Sequence, residues 1–443
     1  MLVSLLLCAG TIPMAIALLQ RSGMSFGLPV AYLICLATIH LPGALAHWFH
    51  PGQIPGYAET EEGLAITSLC MLAFIAGIAL IEWRQSALLR MRKMENQSLR
   101  KDPRFWRFCI TGGLVIGFVL APLSLIPSLG AVIQNAGLIW IAGALLALRF
   151  HSSRSGSSIA FSRWVALSLI NPFLSLLGQG FLGYGVTAIS QVYSVFLVRR
   201  RRLIRSVLIV AIASYLGLGV GITYLASRNE IRSAVWGGAG IDERLTAIGN
   251  VAGEIRSFDP NDLEQAKLLV LRLNQNFFVG AAALNIQAGR SQFLLGRTFV
   301  EAIAALVPRA LWPDKPVVGG SGNLVSEATG IGFAEGTSVG IGTVMEAYIN
   351  FGQAGCLALF AVLGALLRWL DLRAYRAEAA GQYRYFLTSL LPALALIQPG
   401  GSLAELTSSV LAAWIAALLW FEAWQRSQRQ RPSPSISHAV APR

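Results

Sequence analysis

The run GLAITSLCMLAFIAGIALIEW, residues 63–83, decides the class of fold. Its one charged residue is Glu82 near the end, and its length is close to the ~20 residues that an α-helix needs to cross a bilayer. The run is continuously apolar instead of alternating, which argues against a strand of a transmembrane β-barrel. Similar runs recur along the chain, so residues 1–425 are predicted to form one polytopic, all-α membrane domain.

The composition and the charge distribution agree with this class. Of the 443 residues, 55% are hydrophobic and 13% are charged, whereas soluble domains carry about 25% charged residues. The formal net charge is +13, and the excess of Lys and Arg lies in short loops such as Arg84–Arg107 and Arg199–Arg205. This is the positive-inside pattern of membrane proteins. The basic pI therefore does not indicate nucleic-acid binding, and the partner expected for these residues is anionic membrane lipid.

The apolar runs predict about eleven transmembrane helices. The predicted helices cover residues 2–19, 28–46, 63–83, 109–126, 131–149, two short or re-entrant helices within 164–198, 206–225, 344–367, 386–398 and 403–422. The charge rule places the N-terminus outside the cytoplasm and the C-terminus in the cytoplasm. Residues 226–342 then form one large extracytoplasmic loop between helices 8 and 9, which is periplasmic if the membrane is a bacterial inner membrane, and residues 426–443 form a disordered cytoplasmic tail.

The large loop carries local structural signals of its own. The sequence Asp259-Pro260-Asn-Asp262 predicts an N-cap and a helix that continues to Phe277. Thr298-Phe-Val-Glu301 predicts a capping box at a second helix. Residues 319–342 contain eight glycines and predict a loop whose bare backbone approaches a ligand closely.

No metal or cofactor is predicted. The five cysteines fall in apolar runs without metal-binding spacing. The histidines His40, His47 and His50 have no neighbouring group of acids that would complete a zinc site. Residues 330–336 have glycines at the wrong spacing for a dinucleotide-binding loop.

Residues 296–355 carry a resemblance to a known family. The order G-x-T-F, P-R-x-x-W-P-D-K-P, G-T-S and E-x-Y-x-N-F-G-x-x-G resembles the bacterial oligosaccharide repeat-unit polymerases, the Wzy-type O-antigen polymerases. The matching residues are Gly296, Thr298, Phe299, Pro308, Arg309, Trp312, Pro313, Lys315, Pro316, Gly336, Ser338, Glu346, Tyr348, Asn350, Phe351, Gly352 and Gly355. Outside this stretch the likeness is limited to the hydropathy profile.

The resemblance implies a GT-C-type glycosyltransferase of the bacterial inner membrane. Such an enzyme transfers a polyprenyl-diphosphate-linked oligosaccharide to the sugar hydroxyl of another lipid-linked unit at the periplasmic face. A flippase and a chain-length regulator are its expected protein partners. An O-antigen ligase with the same chemistry, a lipid-linked sugar flippase or other transporter, and a purely structural membrane scaffold are the alternatives.

Cations near the resembling stretch are candidates for binding the diphosphate. The sequence has no Asp-x-Asp motif, with which soluble nucleotide-sugar enzymes often bind a metal. A metal-independent enzyme would stabilise the leaving diphosphate with Arg and Lys. Arg309 is the candidate for a catalytic role, and the substrate-binding candidates are Arg290, Arg297 and Lys315. The alternative is a solvated loop whose cations pair with local acids such as Glu301.

Glu346 is the leading candidate for the general base that activates the acceptor hydroxyl. The alternative is that Thr343-Val-Met-Glu346 is a capping box in which Glu346 only caps its own helix. Trp312, Tyr348 and Asn350 are candidates for sugar contact, although interfacial aromatic residues often serve as membrane anchors. Weaker acidic candidates are Glu327, Glu335 and Glu405.

Overall fold

Every regular element in the described part of the chain is an α-helix. The computed structural model describes residues 1–89, 103–118, 129–154, 173, 176–177, 180, 182–199, 202–307, 312, 321–333 and 339–430. The helices are α1 (Leu2–Ser22), α2 (Leu28–Phe49), α3 (Tyr57–Leu89), α4 (Pro103–Phe118), α5 (Leu129–Ala136), α6 (Ile139–Arg154), α7 (Leu182–Arg199), α8 (Leu203–Trp236), α9 (Ile241–Gly253), α10 (Leu263–Arg272), α11 (Gln275–Gln287), α12 (Arg297–Ala305), α13 (Ser321–Thr329), α14 (Thr343–Ala379), α15 (Tyr383–Ala395) and α16 (Leu403–Arg429).

Within these residues, 7 stretches are long and apolar enough to cross a membrane. They are α1, α2, α3, α8, α14 and α16, together with Ala131–Arg149 of α5 and α6. On α8 the apolar side chains of Ile204, Leu208 and Ile212 are exposed, which suits contact with lipid. These features are those of a polytopic helical membrane protein. The count of about eleven spans stays a prediction, because residues 90–102, 119–128 and most of 155–181 lie outside the described residues.

The long helices run between two ends of the bundle. We call the end at which α3 and α14 begin the loop end, and the opposite end, at Arg368, the basic end. At the loop end, the N-terminal ammonium group of Met1 lies 2.5 Å from Glu61, near the start of α3. At the basic end, the buried guanidinium of Arg368 on α14 binds Glu82 of α3 and Ser22 of α1. The chain therefore starts at the loop end, and α16 carries it to the basic end.

Helices α3 and α14 form the centre of the bundle and touch backbone to backbone. A Cβ atom at Gly77 would lie 2.0 Å from the carbonyl oxygen of Ala361, and one at Gly364 would lie 2.1 Å from that of Phe74. Small residues allow this approach, which is a common way for membrane helices to associate. The position of α14, and of the residues at its start, is thereby fixed against α3.

The boundaries of residues 226–342 differ from the sequence-based expectation. Residues 226–236, expected to lie in the loop, continue α8. The helix expected from Asp259 begins at Leu263, because the Asp262 carboxylate accepts the N–H groups of residues 264 and 265. Residues 321–329, expected to be glycine-rich loop, form α13 with buried Leu324 and Val325. The glycine content predicted a loop wrongly, because Leu324 and Val325 give the segment between Gly322 and Gly330 an apolar face that packs against the bundle.

Part of the expected loop is packed into the bundle at the loop end. The Asn276 side chain is fully buried, and its amide group donates to the His40 carbonyl oxygen at 2.8 Å. Its oxygen lies 2.6 Å from His40 Nδ1 and accepts from the Thr67 hydroxyl at 2.8 Å. Next to this contact, a Cβ atom at Gly280 would lie 1.7 Å from the Glu59 carbonyl oxygen. Helix α11 is therefore held directly against α2 and α3.

Candidate functional site

The two halves of the resembling stretch meet at Asn350. Its fully buried carboxamide oxygen accepts the Gly296 N–H at 3.0 Å, and its amide nitrogen donates to Thr298 Oγ1 at 2.8 Å. Gly296 is the N-cap of α12 and has a φ of 92°. The Asn350 side chain therefore satisfies a backbone donor at the start of α12, where the helix offers no internal partner. The expected capping box of Thr298 and Glu301 does not form, because the helix begins two residues earlier, with Gly296 as its N-cap, and the Gly296 N–H is bound by Asn350 of α14.

A break in α14 supports the same contact. Phe351 and Gly352 depart from helical geometry, and Gly352 has a φ of 62° and a ψ of −151°. The Ile349 carbonyl oxygen beside the break accepts the Leu294 N–H at 2.8 Å. The Phe351 ring packs against the Phe299 ring, with 5.7 Å between the ring centroids. Gly352 suits this position because a positive φ is unfavourable for residues with a Cβ atom.

Glu346 caps a neighbouring helix and not its own. The N-cap of α14 is Gly342, without a side-chain cap, so the predicted box of Thr343 and Glu346 is wrong. The Glu346 side chain is 1% exposed, and its Oε2 accepts the N–H of Leu403, the first residue of α16, at 2.7 Å. The Thr298 hydroxyl, whose oxygen already accepts from Asn350, also interacts with this carboxylate. A carboxylate at a helix N-terminus is electrostatically favourable.

These contacts define the Glu346 cluster, which consists of Thr298, Glu346, Asn350 and the Leu403 N–H. The cluster joins α12, α14 and α16. A further bond from the Thr407 hydroxyl to the Ala302 carbonyl oxygen, at 3.1 Å, connects α12 to α16. The Glu405 carboxylate accepts the Ser402 N–H at 3.0 Å in a complete capping box, so its observed role is to start α16.

The cation expected at position 297 is paired. The Arg297 guanidinium donates to both carboxylate oxygens of Glu327 on α13, at 3.1 Å and 2.6 Å. This hydrogen bonding raises the pKa of Arg297 further above its usual value. Glu301 is the second partner, with one oxygen 3.6 Å from Arg297 Nε. Arg297 is thus an exposed cation between two acids. The Glu327 carboxylate binds its guanidinium in the bidentate manner in which a phosphate would bind it.

The remaining candidates differ in exposure. Arg290 is exposed and makes no ion pair within the described residues. Trp312 is also exposed. Tyr348 is buried, and its ring lies 6.2 Å from the Phe293 ring centroid, so it offers no open face to a sugar. Three candidates lie outside the described residues, namely Arg309, Lys315 and Glu335.

Two features of this region were not identified from the sequence. Glu301 is 28% exposed, and its Oε2 is buried without a hydrogen-bond donor among the described residues. On the same helix, the apolar side chains of Val300 and Ile303 are each 68% exposed. The sequence does contain a signal for this surface. In a helix the spacing of Val300 and Ile303 places them on one face, next to the face that carries Arg297 and Glu301. Which face is covered depends on α14 and α16, and this is not visible in the sequence.

Comparisons with known proteins identify no relative. No family model, no curated protein and no solved structure matches this chain. The likeness of residues 296–355 to the repeat-unit polymerases therefore stays a resemblance. In the described residues, no group of three or more His, Cys, Asp or Glu side chains is arranged to hold a metal ion.

Proposed function

We propose that this protein is a membrane-embedded glycosyltransferase that polymerises lipid-linked oligosaccharide units, with its active site at the loop end of the bundle. The observation that carries this proposal is the Glu346 cluster. Residues 298 and 350, which lie 52 positions apart and belong to different parts of the resembling pattern, are in direct contact. Under this proposal the basic end faces the cytoplasm, in line with the positive-inside rule.

The surface of α12 combines exposed apolar side chains with an exposed cation, and a polyprenyl-diphosphate sugar has an apolar chain and an anionic group that these could bind. The exposed side chains of Val300 and Ile303 would contact the polyprenyl chain at the membrane surface. Arg297 would exchange Glu327 for the diphosphate, since an exposed ion pair contributes only about 0.2–1 kcal/mol. Arg290 precedes this helix and is exposed, so it would add a second cation. Arg309 and Lys315 complete the proposed set.

Geometry favours Glu301 over Glu346 as the acceptor of the proton from the attacking hydroxyl. A general base must come within hydrogen-bond distance of that hydroxyl. Glu346 is enclosed and already bound to Leu403 and Thr298, whereas Glu301 is partly exposed beside Arg297. In this proposal Glu301 takes the proton and Glu346 positions α12 through Thr298. Bond formation at the anomeric carbon then releases the polyprenyl diphosphate, whose charge Arg297 and Arg290 stabilise.

The transporter alternative would require charged residues along a path through the membrane. Apart from Glu346 at the loop end, the buried charged residues in the described part of the chain are Arg368, Asp371 and Glu378, which lie at the basic end in ion pairs. Arg368 donates to Asp371 at 2.7 Å, and Asp371 also accepts from the Ser25 hydroxyl and the Phe26 N–H. These bonds fasten α14 to the link between α1 and α2. A buried pair with all partners satisfied has a structural explanation, so this network does not favour transport.

Incubation of the purified full-length protein with a defined polyprenyl-diphosphate repeat unit tests the proposal. A ladder of chain lengths is expected, whereas transfer to a different acceptor would indicate a ligase. Glu301→Gln should lower the rate by about 100-fold or more, which is the usual scale of acid–base catalysis. The matched control is Glu264→Gln, which changes an exposed glutamate in an ion pair on α10 and should leave the rate unchanged. Absence of any glycan transfer by the wild-type protein would refute the proposed function.

A further inference from the structure

A second candidate site lies at the basic end of the bundle. An open groove of about 420 Å³ lies between the start of α15 and the end of α16. Ligand pockets commonly have volumes of about 300–1,000 Å³. The groove is separated from the Glu346 cluster by the length of α16, which is about 40 Å at ~1.5 Å per residue. It is therefore a different site from the one proposed for glycan transfer.

The groove is positively charged. Arg384 and Arg429 line it from its two helices, and the described lining residues include no Asp or Glu. Both guanidinium groups are exposed, and neither forms an ion pair within the described residues. Two unpaired Arg side chains that face one groove form a site for a phosphate group, which guanidinium binds in a bidentate manner.

The remaining lining groups are fixed in place and include an unused donor. The Tyr383 ring stacks on the Phe105 ring with 4.0 Å between centroids, and the Phe105 ring also contacts Trp424 at 5.2 Å. The amide nitrogen of Gln428 also lines the groove, is buried, and has no acceptor in the part of the chain that the structure describes. The N-cap of α15 has no side-chain cap, so backbone N–H groups add to the positive potential. A buried donor without an acceptor favours an occupied groove.

We propose that this groove binds the phosphodiester headgroup of an anionic phospholipid. The groove lies at the end of a membrane-length helix, which is the level of lipid headgroups. Exposed Tyr385 lines it, as expected for an aromatic residue at a membrane interface. On α16, Phe421 also lines the groove, is partly exposed, and provides an apolar surface for an acyl chain. A free phosphate would use the arginines but leave this apolar surface uncovered.

The test uses the purified full-length protein in detergent. Native mass spectrometry measures retention of phosphatidylglycerol, of phosphatidylcholine and of inorganic phosphate. Phosphatidylglycerol should bind in preference to both, and the double variant Arg384→Gln/Arg429→Gln should weaken it by about tenfold or more. The matched control is Arg426→Gln, which removes an exposed charge from α16 outside the groove and should change binding by less than about twofold.

Three outcomes would overturn the proposal. Equal retention of phosphatidylglycerol and phosphatidylcholine would show that the charge of the headgroup is not recognised. An equal loss in Arg426→Gln would assign binding to the general positive charge of this end. Displacement of the lipid by inorganic phosphate at the same concentration would identify a phosphate site and not a lipid site. If the double variant does not fold, the single variants Arg384→Gln and Arg429→Gln give the same comparison.

Discussion

The role of Glu346 is tested by two substitutions that leave different groups behind. Glu346→Gln keeps an oxygen for the Leu403 N–H, which now binds Glu346 at 2.7 Å, and removes only the charge at the start of α16. A charge at a helix N-terminus contributes about 0.3–1 kcal/mol. Because the contact survives in neutral form, the free energy of unfolding should fall by about 1 kcal/mol or less.

Glu346→Ala should cost considerably more. It leaves the Leu403 N–H without an acceptor and removes a partner of the Thr298 hydroxyl. Water cannot replace these contacts easily, because residue 346 is only 1% exposed. Each buried polar group without a partner costs about 1–3 kcal/mol, and the lost side chain leaves a cavity. We therefore expect a loss of about 3 kcal/mol or more for Glu346→Ala.

Thermal unfolding of the purified protein in detergent and the glycan transfer assay measure these effects. The matched control is Glu405→Gln, which removes a charge from the same end of α16 but keeps the capping oxygen for the Ser402 N–H. Its melting temperature should resemble that of Glu346→Gln. The reasoning is refuted if Glu346→Gln unfolds like the wild type but loses about 100-fold or more in transfer rate. Glu346, and not Glu301, would then be the base.

Three further predictions concern packing, chemistry and topology. Gly280→Ala should lower the free energy of unfolding by about 1–3 kcal/mol, because the new Cβ atom would lie 1.7 Å from the Glu59 carbonyl oxygen. The matched control is Gly249→Ala, whose Cβ atom would have no other atom within 4 Å. It should be neutral or stabilising in the same melting assay. Glycan transfer should survive chelation by EDTA, and a loss that added magnesium or manganese restores would contradict the proposed use of Arg in place of a metal. A Leu295→Cys variant should react with a membrane-impermeant reagent from the periplasmic side, since Leu295 is exposed and the five native cysteines are buried; labelling only after the inner membrane is permeabilised would reverse the proposed orientation.

The contacts of Arg297 explain why single residues were harder to assign than the fold. Its sequence neighbourhood predicts a cation that binds a phosphate, with pairing to local acids such as Glu301 as the alternative, and in the structure Arg297 is exposed and paired with two acids. Its main partner, Glu327, lies 30 positions away on a helix that the glycine content concealed. A bond of this kind depends on how α12 and α13 are placed, so no local pattern indicates it. Asn276 and His40, which are 236 positions apart, are a second example.

The sequence by itself determined the class of this protein, because crossing a bilayer depends on the length and hydropathy of each segment alone. It also located three of the four members of the Glu346 cluster, since Thr298, Glu346 and Asn350 belong to residues 296–355 and Leu403 does not. Only the tertiary structure decided what these residues do. The Thr343 to Glu346 pattern is compatible with a local cap, but packing brings the Leu403 N–H within 2.7 Å of the carboxylate. A buried carboxylate binds the donor that the fold presents to it, and that donor belongs to a helix 57 positions further along the chain.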